Sequence, residues 1–154
     1  MTPEEFEAFR SRIIAEYADE QVRSGNWSAA TAQARASGRT AELAPEGSKT
    51  PGMLALTAET DKGETVGHLW LGMVHDPADA PSAWIYAIDV TESQRAKGYG
   101  RALLAGAEQE AARHGATAIG LNVFGTNQVA RHLYESADYE VVSQQMRKRL
   151  NSPS

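Results

Sequence analysis

A loop near the middle of the chain has the composition of an anion-binding site. Residues 94–104 read QRAKGYGRALL, and this segment combines three cations with two glycines. They are Arg95, Lys97, Arg101, Gly98 and Gly100. Apolar residues at helical spacing follow, so the loop should lead into a helix whose first N–H groups point outward with a partial positive charge. Because glycine has no Cβ, a phosphate could approach the backbone amides of residues 98–101 closely.

The loop alone does not decide which anion binds. A dinucleotide fingerprint reads GxGxxG, and Leu103 stands where its third glycine would be. A Walker A loop reads GxxxxGK[ST], and that string does not occur in the sequence. A plain turn between a strand and a helix, with incidental charge, stays open as the alternative.

The composition limits the class of protein. With 154 residues, 42% of them hydrophobic, the chain is long enough for one domain with a core and too short for two ordinary ones. It contains no cysteine and four scattered histidines, so we expect neither disulfides nor a metal site. The N-terminus is acidic, and no stretch approaches the roughly 18 apolar residues of a membrane span. We therefore expect a cytoplasmic protein that does not bind membranes.

Charge is distributed unevenly along the chain. The net charge is −5, yet residues 1–92 carry 7 Lys or Arg against 15 Asp or Glu, whereas residues 93–154 carry 8 against 5. Non-specific nucleic-acid binding needs an extended basic face, which this pattern does not provide. We expect no nucleic-acid partner, and one small anionic ligand explains the cations of the loop better.

Two helices are predicted at the start of the chain. Residues 2–5, TPEE, provide a cap residue, Pro at the first helical position and Glu three residues after the cap, so a helix should run to about Arg23. Ser28 can cap a second helix, which Pro45 and Gly47 would close.

Short runs rich in Leu, Val, Ile, Trp and Tyr then predict a sheet. Three antiparallel strands are expected, and the loop and its helix lead from the third of them to a fourth, parallel strand by a right-handed crossover. The predicted strands are 53–58, 65–74, 83–90, 117–124 and a last one from 139 to about 149, with a short helix at 127–136. The fold class is thus α/β (α+β), a mixed and mainly antiparallel sheet flanked by helices. We expect a single domain, residues 1–150, and a disordered tail, residues 151–154.

Two motifs in this second part resemble the GNAT family of acyl-CoA-dependent N-acetyltransferases. The string ESQRAKGYGRALL fits the loop pattern Q/R-x-x-G-x-G/A through Arg95, Gly98 and Gly100. The string NVFGTNQVARHLYESADY fits a second signature, an Asn seven residues before a Tyr, through Asn127 and Tyr134. Each motif alone is weak evidence for the family. The two motifs and the order of strands and helices agree with the family pattern over about residues 50–150.

The resemblance implies acetyl-CoA as the cofactor. Its pyrophosphate would lie on the amides of residues 98–101, including Tyr99, with Arg95, Lys97 and Arg101 adding charge. Its pantetheine arm would pair with the backbone of Ile88 and Val90, where the two parallel strands separate, and Asn127 would contact the same arm.

Acetyl transfer to an amine requires a group that polarises the carbonyl, an acid near the departing sulfur, and a neutral amine. Backbone N–H groups near Ile88 or Val90 could polarise the carbonyl. The resemblance assigns the acid to Tyr134. Asp89 is the only carboxylate within its strand and is a candidate base, although a structural or solvated carboxylate is the alternative.

Other polar and aromatic residues are weaker candidates. His68 and His75 flank the second strand, where a lone histidine more often packs or faces solvent. Trp70, Trp84 and Tyr86 either line the acceptor cleft or, as large aromatics in strands usually do, pack in the core.

The sequence predicts an enzyme that transfers an acetyl group from acetyl-CoA to a primary amine of a small molecule or peptide, by direct attack in a ternary complex. The acidic front half favours a cationic acceptor. The alternatives are a catalytically inactive acyl-CoA-binding sensor or docking module, and a nucleotide-binding domain that would bind ATP or NAD. A homodimer would fit the resemblance.

Two features depart from the family pattern. The family usually opens with a strand before its first helix, whereas here the first helix begins at Pro3. Family members commonly have a glycine where Asp138 precedes Tyr139. Asp tolerates the left-handed conformation better than most residues, so we expect this turn to form.

Overall fold

The computed structural model describes residues 1–151 and contains four helices and four strands. The helices are α1 (Pro3–Arg23), α2 (Ala29–Leu43), α3 (Tyr99–Arg113) and α4 (Gln128–Ser136). The strands are β1 (Met53–Glu59), β2 (Thr65–Val74), β3 (Ser82–Val90) and β4 (Ala118–Leu121). Short 3₁₀ turns lie at Gly47–Lys49 and Glu92–Gln94. Within these residues the first element is α1, as the sequence predicted.

Helix α1 begins as its sequence dictates. The Thr2 hydroxyl accepts from the Glu5 backbone N–H at 3.1 Å, and the Glu5 carboxylate accepts from the Thr2 N–H at 2.7 Å, which completes a capping box. Ser28 precedes α2 as predicted, but its side chain makes no capping hydrogen bond to the helix. Instead, the Ser28 hydroxyl lies 3.0 Å from that of Thr31.

The four strands form one mixed sheet in the order β1-β2-β3-β4. The first three are antiparallel neighbours, and β3 and β4 are parallel and joined through α3. This arrangement confirms the predicted fold class. Strand β4 is shorter than the predicted 117–124, because its pairing with β3 runs only from Ser82 and Ala118 to Ile85 and Leu121.

A bulge divides β3 into two halves. Trp70 of β2 is paired with Ala87, but the next residue, Leu71, is paired with Ile85, so Tyr86 is an extra residue on β3. A regular strand would alternate faces from Ile85 onward and turn Asp89 toward the same face as Ile85. With the extra residue, Ile85 and Ile88 pack on the same side instead.

Apolar clusters cover both faces of the sheet. The cluster on the face of α3 contains Leu69, Leu71, Ile85, Leu103, Leu104 and Ala107. The cluster beneath α1 contains Phe6, Phe9, Ala44 and Trp70. Helix α2 packs on α1 through Ala32 and Ala36, which form a third apolar cluster with Ala18 and Trp27. The sheet is therefore covered by α3 and α4 on one face and by α1 on the other.

The predicted last strand, residues 139–149, is wrong: the structure assigns no strand between residues 137 and 151. Without strand pairing, Val142 and Met146 remain 95% and 86% exposed. The segment is attached at two points instead. The Tyr139 hydroxyl donates to Glu108 at 3.1 Å, and the Arg147 guanidinium donates to carbonyls of the turn between α1 and α2. The predicted tail, apart from Asn151, lies outside the described residues.

The predicted left-handed turn before Tyr139 is confirmed. Asp138 has φ 67°, in the region that glycine would occupy most easily. The turn places the Tyr139 ring 5.8 Å from that of Tyr134, between centroids. Asp138 thus adopts the left-handed conformation for which family members commonly use glycine.

Candidate active site

The parallel strands separate where β3 leaves its neighbour. Pairing between β3 and β4 ends at Ile85, yet β3 continues to Val90. Beyond Ile85, the edge of β3 that faces away from β2 therefore has no strand partner among residues 1–151. Ile88 and Val90, the predicted partners of an extended ligand, lie on this segment, and their side chains pack toward α3.

The glycine loop lies directly beyond this free edge. Gly98 is the N-cap of α3 and has φ 83°, and Ala96 has φ 63°, so two left-handed residues turn the chain into the helix. A Cβ built on Gly98 would meet no heavy atom within 4 Å, whereas one on Gly100 would lie 3.4 Å from Leu133. The first turn of α3 is thus open on the side of Gly98, and its amides are accessible to an anion.

The three cations of the loop differ in their contacts. The Arg95 Nε donates to the Val90 carbonyl at 3.1 Å, so this side chain turns back along β3. The Lys97 ammonium donates to Gln94 at 3.2 Å, and Arg101 donates to the Ser136 hydroxyl at 2.7 Å. Neither Lys97 nor Arg101 is paired with a carboxylate of residues 1–151, so their charge is available to a ligand.

Aromatic and amide groups from the following elements complete this side of the cleft. The Tyr99 ring packs against the apolar cluster of the α3 face. Tyr134 of α4 is 9% exposed in the same cluster, and burial raises the pKa of its hydroxyl. Asn127 caps α4, its Oδ1 accepting from the Ala130 N–H at 3.2 Å, so the sequence motif also has a structural role.

Asp89 points to the opposite face, toward α1. Its carboxylate accepts from an Arg12 guanidinium nitrogen at 2.5 Å, and the side chain is 14% exposed. His68 Nδ1 lies 3.5 Å and an Arg95 nitrogen 4.0 Å from the same carboxylate. Arg12 alone donates a hydrogen bond to the candidate base, and the other two basic side chains lie at longer range. Sequence reasoning missed the contribution of Arg12, which lies 77 residues away.

Glu16 is a second carboxylate of this face that sequence reasoning missed. Burial and, next in size, the negative charge of Asp89 raise the pKa of Glu16, while Arg12 and Arg95 act against that rise. Its Oε1 lies 3.8 Å from Arg12 Nε. The spacing of Arg12 and Glu16, one helical turn apart, was the available signal, because such pairs share a helix face.

The remaining candidates are structural in their contacts. Trp70 is 1% exposed and its ring meets Phe6 edge to face at 5.4 Å, and Tyr86 covers Gly72. His68 lies against Phe9 with 5.3 Å between ring centroids, and its buried Nδ1 has no hydrogen-bond partner. Trp84, half-exposed, covers Gly120.

Within residues 1–151, no group of three or more His, Cys, Asp and Glu side chains could hold a metal ion. None of the helices in that part of the chain is sufficiently long and apolar to cross a membrane.

Comparison with known proteins gives a consistent result. The model of the acetyltransferase (GNAT) family matches residues 14–139. A relative named uncharacterized N-acetyltransferase YycN, from Bacillus subtilis (strain 168), is 32% identical over 152 residues, which cover 97% of this chain and 96% of the relative. Its crystal structure covers 99% of this chain and 96% of its own, with a TM-score of 0.91 and 31% identity.

Mycothiol acetyltransferase from Propionibacterium freudenreichii subsp. shermanii is similar over a shorter stretch, 36% identical over 88 residues, which cover 57% of this chain and 28% of that protein. The matched family model and the full-length relative show that the chain belongs to the GNAT acetyltransferase family. It is an acyltransferase.

Proposed function

We propose that this protein transfers the acetyl group of acetyl-CoA to a primary amine of a small molecule or peptide, by direct attack in a ternary complex. One observation carries the proposal: the open, glycine-capped start of α3 adjoins the unpaired edge of β3. An anion site next to a free strand edge fits a ligand with a pyrophosphate and an extended amide-bearing arm.

The residues of this side fit acetyl-CoA, which when bound supplies an activated acetyl thioester. The amides of residues 98–101 would hold the pyrophosphate, with Lys97 and Arg101 adding positive charge. The main chain of Ile88 and Val90 would bind the pantetheine amides and present an N–H to the acetyl oxygen. Asn127 would contact the same arm through its amide NH₂, since its Oδ1 caps α4.

Tyr134 would donate a hydrogen bond to the departing sulfur. The reference pKa of Tyr, about 10, is about 1.5 units above that of a thiol near 8.5, so complete proton transfer to a thiolate would be uphill by about 2 kcal/mol. Burial raises the Tyr134 pKa and increases that difference. The hydroxyl therefore stays protonated at neutral pH and acts by hydrogen bonding, or transfers its proton late.

The acceptor would approach from the α1 face, where the carboxylates lie. A Lys-like amine of pKa near 10.4 costs about 4.6 kcal/mol to deprotonate at pH 7, whereas an α-amine near 8 costs about 1.4 kcal/mol. A proton acceptor is thus needed most for the first kind of amine. Asp89 is a candidate for this role, directly or through a water molecule.

Thermal unfolding with ligands tests the cofactor. The wild type should be stabilised by acetyl-CoA and not by ATP or NAD, by about 2.7 kcal/mol at a hundredfold excess over Kd, which raises Tm by roughly 5–10 °C. Gly98→Asp should abolish this shift, since a carboxylate would occupy the anion site. Gly63→Asp is the matched control, because Gly63 has φ 80°, lies in open space and is remote from α3.

A shift with ATP or NAD instead of acetyl-CoA would contradict the proposal, as would an acetyl-CoA shift that survives Gly98→Asp. Turnover on an amine panel then separates the enzyme from the alternative, an inactive acyl-CoA-binding module. That alternative predicts the shift without any acetylated product.

A further inference from the structure

Helix α1 crosses the face of the sheet over the gap between β3 and β4. Near its middle, Arg12 contacts Asp89 of β3 at 2.5 Å. One turn later, the Tyr17 ring lies 6.2 Å from that of Phe124, between centroids, and Phe124 follows β4. Glu16 lies between these two contacts along the helix, so its backbone is above the point where the parallel strands have separated.

The two carboxylates at this place are held differently. Asp89 is largely buried and accepts a short hydrogen bond from Arg12. Glu16 has only the longer, 3.8 Å approach to Arg12, and its side chain is 56% exposed. A carboxylate bound to a guanidinium at short range is a poor proton acceptor, whereas Glu16 is free to meet an approaching ammonium group.

We propose that Glu16 is the catalytic base, which takes the proton from the acceptor ammonium, and that Asp89 is a positioning residue that fixes Arg12 beside it. This inference rests on the proposed function. It revises the role of Asp89 that the sequence favoured, because the structure places Asp89 in an ion-paired network. His68 is a weaker candidate, since it lies on β2, on the far side of β3 from the gap.

The chemistry balances without a further reactant. One ammonium proton moves to the Glu16 carboxylate, and the freed nitrogen lone pair forms the C–N bond as the C–S bond breaks. A second proton leaves the nitrogen as the amide forms, and the sulfur takes up one proton on becoming a thiol. The reaction therefore releases one proton overall, which Glu16 passes to water.

The charges around Glu16 support this assignment. The groups that face it or its partners are Arg12 and Asp19 of α1, Asp89 of β3, Arg95 of the loop, and His68 beyond Asp89. Burial and Asp89 raise the Glu16 pKa, which moves the group toward the neutral range where a general base is most effective. The cations Arg12 and Arg95 act against that rise.

The test compares Glu16→Gln with Glu20→Gln, a matched control one turn further along α1, where Glu20 is paired with Arg23. The probe amines are Nα-acetyl-lysinamide and glycinamide, and kcat/KM is measured from pH 6 to 10. At pH 7, Glu16→Gln should lower kcat/KM by about 10²-fold while the acetyl-CoA thermal shift stays at the wild-type value. The loss should be larger for the lysine amine and shrink toward pH 10, where a much larger fraction of the amine is neutral without a base.

The Glu20→Gln variant should stay within about threefold of the wild type at every pH, because Glu20 is partly buried against Arg23, away from the gap. Asp89→Asn should lower kcat/KM but keep the pH dependence of the wild type. If Glu16→Gln keeps the wild-type rate, or if only Asp89→Asn removes the pH dependence, this inference fails and the proposed function stands. If the wild type acetylates neither amine, both fail together.

Discussion

The two faces of β3 at residues 88–90 are built in different ways. Toward α3, Ile88 and Val90 are part of an apolar cluster, and the nearby groups proposed to bind the ligand are backbone amides and small residues. Toward α1, Asp89 lies among charged side chains that come from α1, β2 and the loop after β3. One strand thus separates a surface made of main chain from a surface made of ion pairs.

This difference explains what each side can recognise. Backbone amides at a helix start bind any ligand with phosphate in the right place, so the α3 side suits an invariant cofactor. Side-chain charges can be exchanged without disturbing the fold, so the α1 side is suited to a variable acceptor. Substitutions on the two sides should therefore affect different measurements.

The largest expected effect on the α3 side comes from Tyr134→Phe. Removing the hydroxyl should lower kcat by about 10²-fold with the acetyl-CoA thermal shift retained, because only the hydrogen bond to the leaving sulfur is lost. Tyr139→Phe is the control, since that hydroxyl binds Glu108 instead. Equal losses of kcat in both variants would show that packing, not the Tyr134 hydroxyl, is responsible.

On the α1 side, Asp89→Asn should act on stability as well as on rate. The substitution leaves Arg12 without its charged partner, and with Arg12 partly exposed we expect a loss of about 1–2 kcal/mol, or roughly 3–6 °C in Tm. The acetyl-CoA shift should be unchanged. Chemical denaturation of the single and double variants with Arg12→Gln measures the coupling, and a coupling near zero would contradict the ion-paired network.

A smaller effect is expected from the cations of the loop. Lys97→Ala and Arg101→Ala should each weaken acetyl-CoA binding by about two- to fivefold and reduce its salt dependence, because both charges are solvent-exposed and screened. Calorimetry at low and high salt checks this, with Lys62→Ala, in the turn between β1 and β2, as the control. An acetyl-CoA affinity that does not change with salt concentration would mean that the backbone amides alone bind the anion.

The smallest effect concerns the stability of Glu16→Gln. The pKa of Glu16 in the folded state is raised from its ordinary 4.5. Glu16 therefore contributes its full stabilisation below pH 4.5, and this contribution is lost as pH rises through the raised pKa. The Gln variant should therefore be as stable as the wild type at pH 7 or slightly more so, within about 0.5 kcal/mol. As pH rises from about 4 to 8, the Tm of the wild type should fall relative to that of the variant. The reverse trend would contradict the raised pKa.

The α3 side was predictable from the sequence and the α1 side was not. Gly98 and Gly100 lie in a loop that local rules predict, and Tyr134 was singled out by the resemblance of its motif to the family pattern. Arg12 meets Asp89 across 77 residues, and nothing local predicts which helix covers which strand. Charge composition indicated an acidic half without indicating where its carboxylates meet.

The helices and the first three strands were also predictable from the sequence, because capping, periodicity and turn residues determine them locally. The predicted last strand did not form because the composition of residues 139–149 says nothing about a partner strand, and β4 has only four residues. The bulge was invisible too, as Tyr86 is an ordinary strand residue whose extra place appears only in the register with β2.

The bulge at Tyr86 determines which face of the sheet each later residue of β3 occupies. Regular pairing of β3 with β2 that kept Tyr86 within the ladder would exchange the two faces of residues 87–90. Asp89 would then turn into the apolar layer beneath α3, and Ile88 would turn toward the charged face. The proposed division between a cofactor side and an acceptor side thus depends on the bulge, because the same residues in a regular strand would present the opposite faces.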